Sequence, residues 1–280
     1  MQILVVGAAS SIGKSIVKRI EQSHSMIRSS RKNSDLNIDL SSDQERIEIP
    51  LGTDVVINLS ASYGGTSAEA IIEAERVNVI GLASLMQASV KANVKHFVQI
   101  SSVSALLKPT SAFFSAYSLS KKHSEEIALL LSSKCKLPLT ILRPTRIYGN
   151  GAEFRSGQPF IFHALDQART GNSVVIYGSH DPKRNYMHID DLTEIVDRVI
   201  EKRVLGVYTC TFPRDVSFGQ IISAAFAAHD RSGKIVFDTN QKDIPDNIFG
   251  CDPGFYQLIG FTPKITIEEG IRMITSSQVS

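Results

Sequence analysis

Short apolar runs recur through the first half of the chain, at Gln2 to Val6, Ser25 to Ile27, Asn37 to Leu40, Asp54 to Leu59, His96 to Ile100 and Leu139 to Leu142. Between them lie segments with apolar residues at helical spacing. Ile16, Val17 and Ile20 follow the first run, and Ile71, Ile72, Val79, Leu82, Leu85 and Met86 mark the stretch from Ser67 to about Ala92. A strand that reads as unbroken apolar sequence is buried on both faces, and strands separated by helices pair in parallel through crossovers. This order predicts an α/β fold, a doubly wound parallel sheet with helices on both faces.

The first strand stops at Gly7 and runs through Ala8-Ala9-Ser10-Ser11-Ile12-Gly13 into a helix. Small residues between a strand and a helix let the backbone approach a pyrophosphate, and the helix N-terminus offers N–H groups and partial positive charge. The turn predicts a Rossmann-type dinucleotide site at Gly7, Ser10, Ser11, Ile12 and Gly13. The second strand ends in Arg28-Ser29-Ser30-Arg31, where an acid would select NAD and an arginine would accommodate the extra phosphate of NADP. With Arg28 and Arg31 and no acid, NADP is expected, NAD remaining possible. Asp39 and Leu40 are expected near the adenine edge, and Leu59 with Ser60-Ala61-Ser62 where a cofactor backbone passes.

Tyr117 and Lys121 are four apart in a predicted helix, so phenol and ammonium share one face. A free Tyr has a pKa of about 10, and a nearby ammonium is expected to lower it, making the phenol competent to exchange a proton with an alcohol or carbonyl. Ser101, Ser102 and Ser104 follow the fifth strand, at the carboxyl edge where ligands of open parallel sheets bind.

A net charge of +2 and a pI near 8.4 give no electrostatic footprint for nucleic acid. Cys135, Cys210 and Cys251 are widely spaced and form no pattern suited to zinc or a disulfide framework, so no metal is expected and a reducing cytoplasmic location is. Ile3 to Val6 is far too short to span a membrane.

Beyond Asn150 the alternation weakens. A helix around Phe160 to Arg169, a strand at Val174 to Tyr177, a helix start capped by Asp190-Asp191 and a strand at Val207 to Thr211 are expected. The division predicted is a dinucleotide-binding domain over 1–150, with elements returning at about 185–212, and an interleaved, smaller substrate-binding lobe over 151–280.

Taken in order, the Gly7 to Gly13 turn, Asp39-Leu40, the segment ending in Ala61, Asn78, Ser101-Ser102, Tyr117-Ser118-Leu119-Ser120-Lys121, Leu142-Arg143-Pro144 through Ile147-Tyr148-Gly149, Arg184 through Leu192, and Gly260-Phe261-Thr262-Pro263 with Glu268-Glu269-Gly270 resemble the extended short-chain dehydrogenase/reductase family, also called the NAD-dependent epimerase/dehydratases. The resemblance implies that Tyr117 is the acid/base on a sugar hydroxyl or keto group, that Lys121 tunes it and holds the cofactor ribose, and that Ser102 bonds the same substrate oxygen. It further implies cofactor contacts from Asn78 and Pro144, and a homodimer built on the tyrosine helix and the long helix before it, with Ile127, Leu130 and Leu131 as the apolar face.

Departures narrow the chemistry. Ser10 stands at the middle glycine of the family turn. Val103 and Ser104 follow Ser102, where dehydratases of the family carry a pair of acids and the epimerase-reductase that makes GDP-fucose carries a cysteine at the second position. Elimination and carbon deprotonation are therefore disfavoured. What remains is carbonyl/alcohol redox on a nucleotide sugar or sugar-like substrate, as a keto reductase or as a 4-epimerase with tightly bound NAD. A non-catalytic dinucleotide-sensing protein is the alternative of another class, and it has no use for the proton-transfer set. Asn247-Ile248-Phe249 lacks the arginine that often grips a substrate diphosphate, leaving Arg146 and Arg184, with Ser102 and Ser104, as candidate substrate contacts.

Overall fold

A computed structural model describes residues 1–42 and 47–277. The chain forms two compact units, the first comprising Met1–Pro144, Thr193–Cys210 and Gly254–Phe261, the second Thr145–Leu192, Thr211–Pro253 and the residues from Thr262 onward.

In the first unit the elements run β1 (Gln2–Val6), α1 (Ser11–Ile20), β2 (Ser25–Ser30), β3 (Leu36–Asn37), β4 (Val55–Asn58), α2 (Ala68–Glu75), α3 (Leu82–Lys91), β5 (His96–Ile100), α4 (Ala116–Cys135) and β6 (Leu139–Pro144). A later strand, Gly206–Cys210, returns beside β6 in parallel register, Val207 opposite Ile141. The seven strands make one parallel sheet in which β1 lies between β2 and β4. From β1 the chain first builds outward through β2 and β3, then crosses to β4, β5 and β6 on the other side. Such a reversal opens a crevice at the carboxyl ends of β1 and β4, the place where dinucleotides bind in sheets of this kind.

Burial explains the strands. Ile3, Leu4, Val5, Val6, Val56, Ile57, Phe97 and Val98 are fully buried, each removed from water by helices above and below. On one face Leu82, Leu85 and Met86 of α3 and Ala128 of α4 pack with Leu4, Val6, Phe97 and Ile141. Two expectations change. The third strand is short and ends at Asn37, because the Asp39 carboxylate accepts from the backbone N–H and hydroxyl of Ser41 and turns the chain out of the ladder. The stretch from Ser67 to Ala92 is helical but not uniformly so: Arg76–Gly81 is a π-helical turn between α2 and α3.

In the second unit β7 (Arg146–Tyr148), α5 (Pro159–Thr170), β8 (Val174–Tyr177), β9 (Lys183–Arg184) and β10 (Tyr186–His188) lead into α6 (Ile189–Glu201), whose C-terminal part belongs to the first unit. The strand Gly206–Cys210 is β11. Then come β12 (Val216–Ser217), α7 (Phe218–Ala228), β13 (Ile235–Asp238), α8 (Pro253–Ile259, almost wholly in the first unit) and α9 (Ile267–Ser277). Helix α7 packs against α5 and α9, burying Ile161, Phe162, Ile221, Ile222, Ile271 and Ile274. The expected helix start is present with its acids at the positive end of the dipole, although α6 begins at Ile189, before Asp190 and Asp191. They lie in its first turn, and Asp191 accepts from the backbone N–H groups of Lys264 and Ile265. Among the described residues no helix is long and apolar enough to cross a membrane.

Candidate active site

The turn after β1 is shaped by its two outer glycines. Gly7 has φ +88°, and a Cβ there would come within 3.1 Å of Ser60 N beyond β4. A Cβ on Gly13 would sit 2.3 Å from Gly7 O, so helix α1 can approach the strand end only without one. The middle position needs no glycine. Ser10 has φ −69° and caps α1, accepting from Gly13 N at 3.0 Å and donating to Gly7 O at 2.8 Å. The departure at Ser10 thus reinforces the turn while leaving other first-turn N–H groups of α1, including those of Ser11 and Ile12, available to an anion. Gly7 N and Ala8 N both donate to Ser29 O, and the buried Ser29 hydroxyl has no hydrogen-bond partner. A bare glycine cradle at a helix N-terminus, beside an orphaned hydroxyl at the end of β2, fits a dinucleotide: pyrophosphate at the turn, a ribose hydroxyl at Ser29.

The two arginines at β2 differ. Arg28 is held by Glu21 at 2.5 Å and Asp35 at 3.7 Å, so its guanidinium is committed to neighbouring acids. Arg31 lies exposed just past the strand. Asp39 is occupied by Ser41, which holds its carboxyl below the usual range, and Leu40 is buried against Gly81. Leu59 continues β4 by donating to Val6 O at 2.9 Å, while Ala61 beyond it is exposed. Pro144 closes β6 opposite Cys210.

Asn78 is buried in the π-helical turn, and both sides of its amide are engaged. Oδ1 accepts from Ser62 N, and Nδ2 donates to Ser62 O and to Ser120 Oγ, all at 2.8 Å. It thereby ties the loop after β4 to the tyrosine helix.

Tyr117 stands at the start of α4, whose N-terminus is fixed by a reciprocal Ser115–Ser118 capping box. Ser102 lies near enough to its hydroxyl to favour the phenolate, and its ring is covered by Tyr63 at a centroid distance of 5.0 Å. Ser102 in turn accepts from Ser104 N at 3.1 Å, which orients its hydroxyl. Lys121 is 2% exposed, donates to Ile100 O at 3.0 Å and lies 5.7 Å from the centre of the Tyr117 ring. Ser102, Tyr117 and Lys121 therefore meet at the carboxyl end of β5.

The expected lowering of the phenol pKa does not hold in the free protein. Burial pushes Tyr117 well above its ordinary value, Tyr63 adds to the rise, and Ser102 opposes them. Desolvation acts on Lys121 too, lowering it to about 8 against the attraction of Glu125. At neutral pH this is a neutral phenol beside a readily titrated amine.

Sequence reasoning missed the support behind this group. Glu125, one turn after Lys121, is buried; it accepts from Ser101 Oγ at 2.5 Å and from Arg143 Nε at 3.0 Å and Nη2 at 2.5 Å. Its i+4 spacing from Lys121 was the available signal. Tyr63, beside Gly64-Gly65, gave none.

In the second unit, Arg184 is buried, donates to Lys183 O and Pro245 O at 2.8 Å each, and lies over the Phe218 ring. Burial first, then repulsion from Arg146, lowers its pKa, so the two guanidiniums lie close enough to feel one another. Arg146 is exposed.

The model of the NAD dependent epimerase/dehydratase family matches residues 3–210. The chain is 23% identical to UDP-glucose 4-epimerase of Vibrio cholerae over 96% of this chain and 93% of that protein. An Arabidopsis thaliana relative named for GDP-L-fucose synthase is 25% identical over 46% of this chain, which spans only 41% of that protein. The fold matches a structure of UDP-glucose 4-epimerase with UDP-glucose from Thermotoga maritima, with a TM-score of 0.80 and 21% identity, covering 100% of this chain and 99% of that one.

Proposed function

The chain belongs to the NAD dependent epimerase/dehydratase family, and from that premise we propose that it moves a hydride at one hydroxyl-bearing carbon of a nucleotide sugar, net ketoreduction being the principal reaction. The observation that carries this reading is Lys121 lying 5.7 Å from the Tyr117 ring centre, with Ser102 near the phenol and only Val103 and Ser104 following Ser102. That set handles one oxygen's proton and offers no second acid or base for elimination or for deprotonating carbon.

When bound, a nicotinamide supplies or takes the hydride. The chain's own residues do the rest. In the reductive direction Tyr117, neutral because it is buried, gives its proton to the oxygen on which charge develops, and the Ser102 hydroxyl stabilises that oxygen. Lys121, as an ammonium, favours the phenolate left behind. Gly7, Ser10, Ser11, Ile12 and Gly13 hold the pyrophosphate in this reading, Ser29 a ribose hydroxyl, and Arg31 the extra phosphate that distinguishes NADPH. Asn78 acts by positioning the Ser62 loop. Arg146 and Arg184 are the cationic pair for a substrate diphosphate in this reading, supported by their lying close enough to repel one another.

A second reading, 4-epimerisation with retained NAD, is favoured by the near full-length similarity to UDP-glucose 4-epimerase and by the commitment of Arg28 to Glu21. Identification of the nucleotide released on denaturation separates the two: tightly held NAD supports the epimerase, exchangeable NADPH the reductase. The class itself is tested by Tyr117→Phe, which should lower turnover by about 10²–10⁴-fold with cofactor affinity unchanged; retained turnover would refute it. Exposed Ile72, Ile80 and Leu130 support a dimer through α2, the π-helical turn and α4, whereas Leu131 packs against the core.

A further inference from the structure

Away from the reaction centre, the first unit brings His24, Asp197 and Glu201 together, with one ligand atom of each within 4.8 Å of the others. Asp197 and Glu201 are one turn apart on α6, so their carboxylates project from the same face. His24 comes from the turn between α1 and β2, where its backbone N–H donates to Ile20 O at 3.1 Å. This is the amino edge of the sheet, the opposite end of the strands from Ser102 and Tyr117.

Two atoms of the cluster are orphans. His24 Nε2 and Asp197 Oδ1 are both buried with no hydrogen-bond partner, and Asp197 is 7% exposed. Arg19 pairs with Asp197 through the other oxygen, Oδ2, at 2.9 Å and with Glu194 Oε2 at 2.6 Å, so one guanidinium faces three carboxylates and Oδ1 stays without a hydrogen bond. Buried polar groups are almost always satisfied, and here a carboxylate oxygen and an imidazole nitrogen of one cluster both lack a partner. Glu194, Asp197 and Glu201 all act on Arg19, and this excess of carboxylates over the one guanidinium favours a cation as that partner rather than a neutral molecule. Calcium and magnesium favour all-oxygen shells, whereas imidazole suits zinc and its neighbours.

We propose that His24, Asp197 and Glu201 bind one divalent transition-metal ion of the zinc type, clipping the turn after α1 to the C-terminal end of α6. Three protein ligands leave a position for water. The ion is structural, since it sits at the edge of the sheet remote from the proton-transfer residues. The site uses none of the cysteines, so it escapes any search for cysteine spacing.

Untagged full-length protein, stripped with chelator, is titrated with zinc chloride by calorimetry and followed by thermal unfolding. About one equivalent should bind, with affinity tighter than millimolar, and the midpoint of unfolding should rise while turnover stays the same. His24→Gln and Glu201→Gln should each weaken binding by about tenfold or more. Glu201 is exposed on its helix, so Glu201→Gln remains informative if the histidine variant folds poorly. Cys135→Ser with Cys251→Ser, which removes the two exposed thiols, should leave binding intact. Millimolar or absent binding, as expected if a bridging water satisfies the two orphans, overturns the site. So does binding that survives both ligand variants or that vanishes with the thiols.

Discussion

Replacing Lys121 by Met separates what the folded chain bears from what the reaction requires. Burial lowers the ammonium from its ordinary 10.5 to about 8, a depression that corresponds to about 3 kcal/mol of native-state stability forfeited while the group is charged. Between pH 8 and 10.5 the unfolded chain carries the proton that the folded protein has released. Stability contributed by this group is therefore least below pH 8 and rises as pH climbs through that window. The hydrogen bond from Lys121 to Ile100 O contributes about 1 kcal/mol in the other direction, with no comparable pH dependence. Glu125 keeps Arg143 and Ser101 as partners in the variant, so no carboxylate is stranded. Urea unfolding of wild type and Lys121→Met at pH 7, 8, 9 and 10 gives the difference directly, because titrations common to both cancel. The variant should equal or exceed wild type at pH 7, be inactive throughout, and lose about 2.5 kcal/mol relative to wild type by pH 10. Parallel stability curves for the two proteins would refute the account of a desolvated ammonium.

Three further outcomes follow from the site. Asn78→Ala removes three hydrogen bonds and leaves the buried Ser120 hydroxyl without this partner; unfolding free energy should fall by about 2 kcal/mol, with turnover reduced more than cofactor affinity. Arg31→Ala should weaken NADPH by about tenfold and leave NADH unchanged, a loss of one exposed charge-assisted contact, as read by fluorescence titration. Arg28→Ala should leave the ratio of the two affinities unaltered, because that guanidinium is paired with Glu21 and Asp35.

Much of the architecture was readable where one physical cause dominates. β1 and β5 coincide with their apolar runs because both faces of each strand are buried, so nothing but solvent exclusion selects those residues. The third strand overran because Asp39 can equally well hydrogen-bond to its own neighbours, a contest that local sequence does not decide. The π-helical turn was invisible since its apolar residues suit an α-helix as well, and what accompanies it is the distant pairing of Asn78 with Ser62 and Ser120. In the site, the i,i+4 spacing of Tyr117 and Lys121 was sufficient to bring them together. Their proton affinities were not readable, because these depend on Tyr63, Glu125 and the degree of desolvation, all set by folding.

The π-helical turn at Arg76–Gly81 also bears on how this chain can change length. A π turn accommodates one residue more than an α-helical turn over a similar rise, so loss of a single residue from 76–81 could return the segment to ordinary winding without breaking the helix. Such a deletion would swing what lies on one side of it by about 100° relative to the other, moving either Asn78 off Ser62 and Ser120 or Gly81 off Leu40. The helix between β4 and β5 thus holds a spare residue. Its removal is cheap for the backbone and expensive for the loop that the inserted turn supports, so a gap of one position here spares the fold and releases the loop.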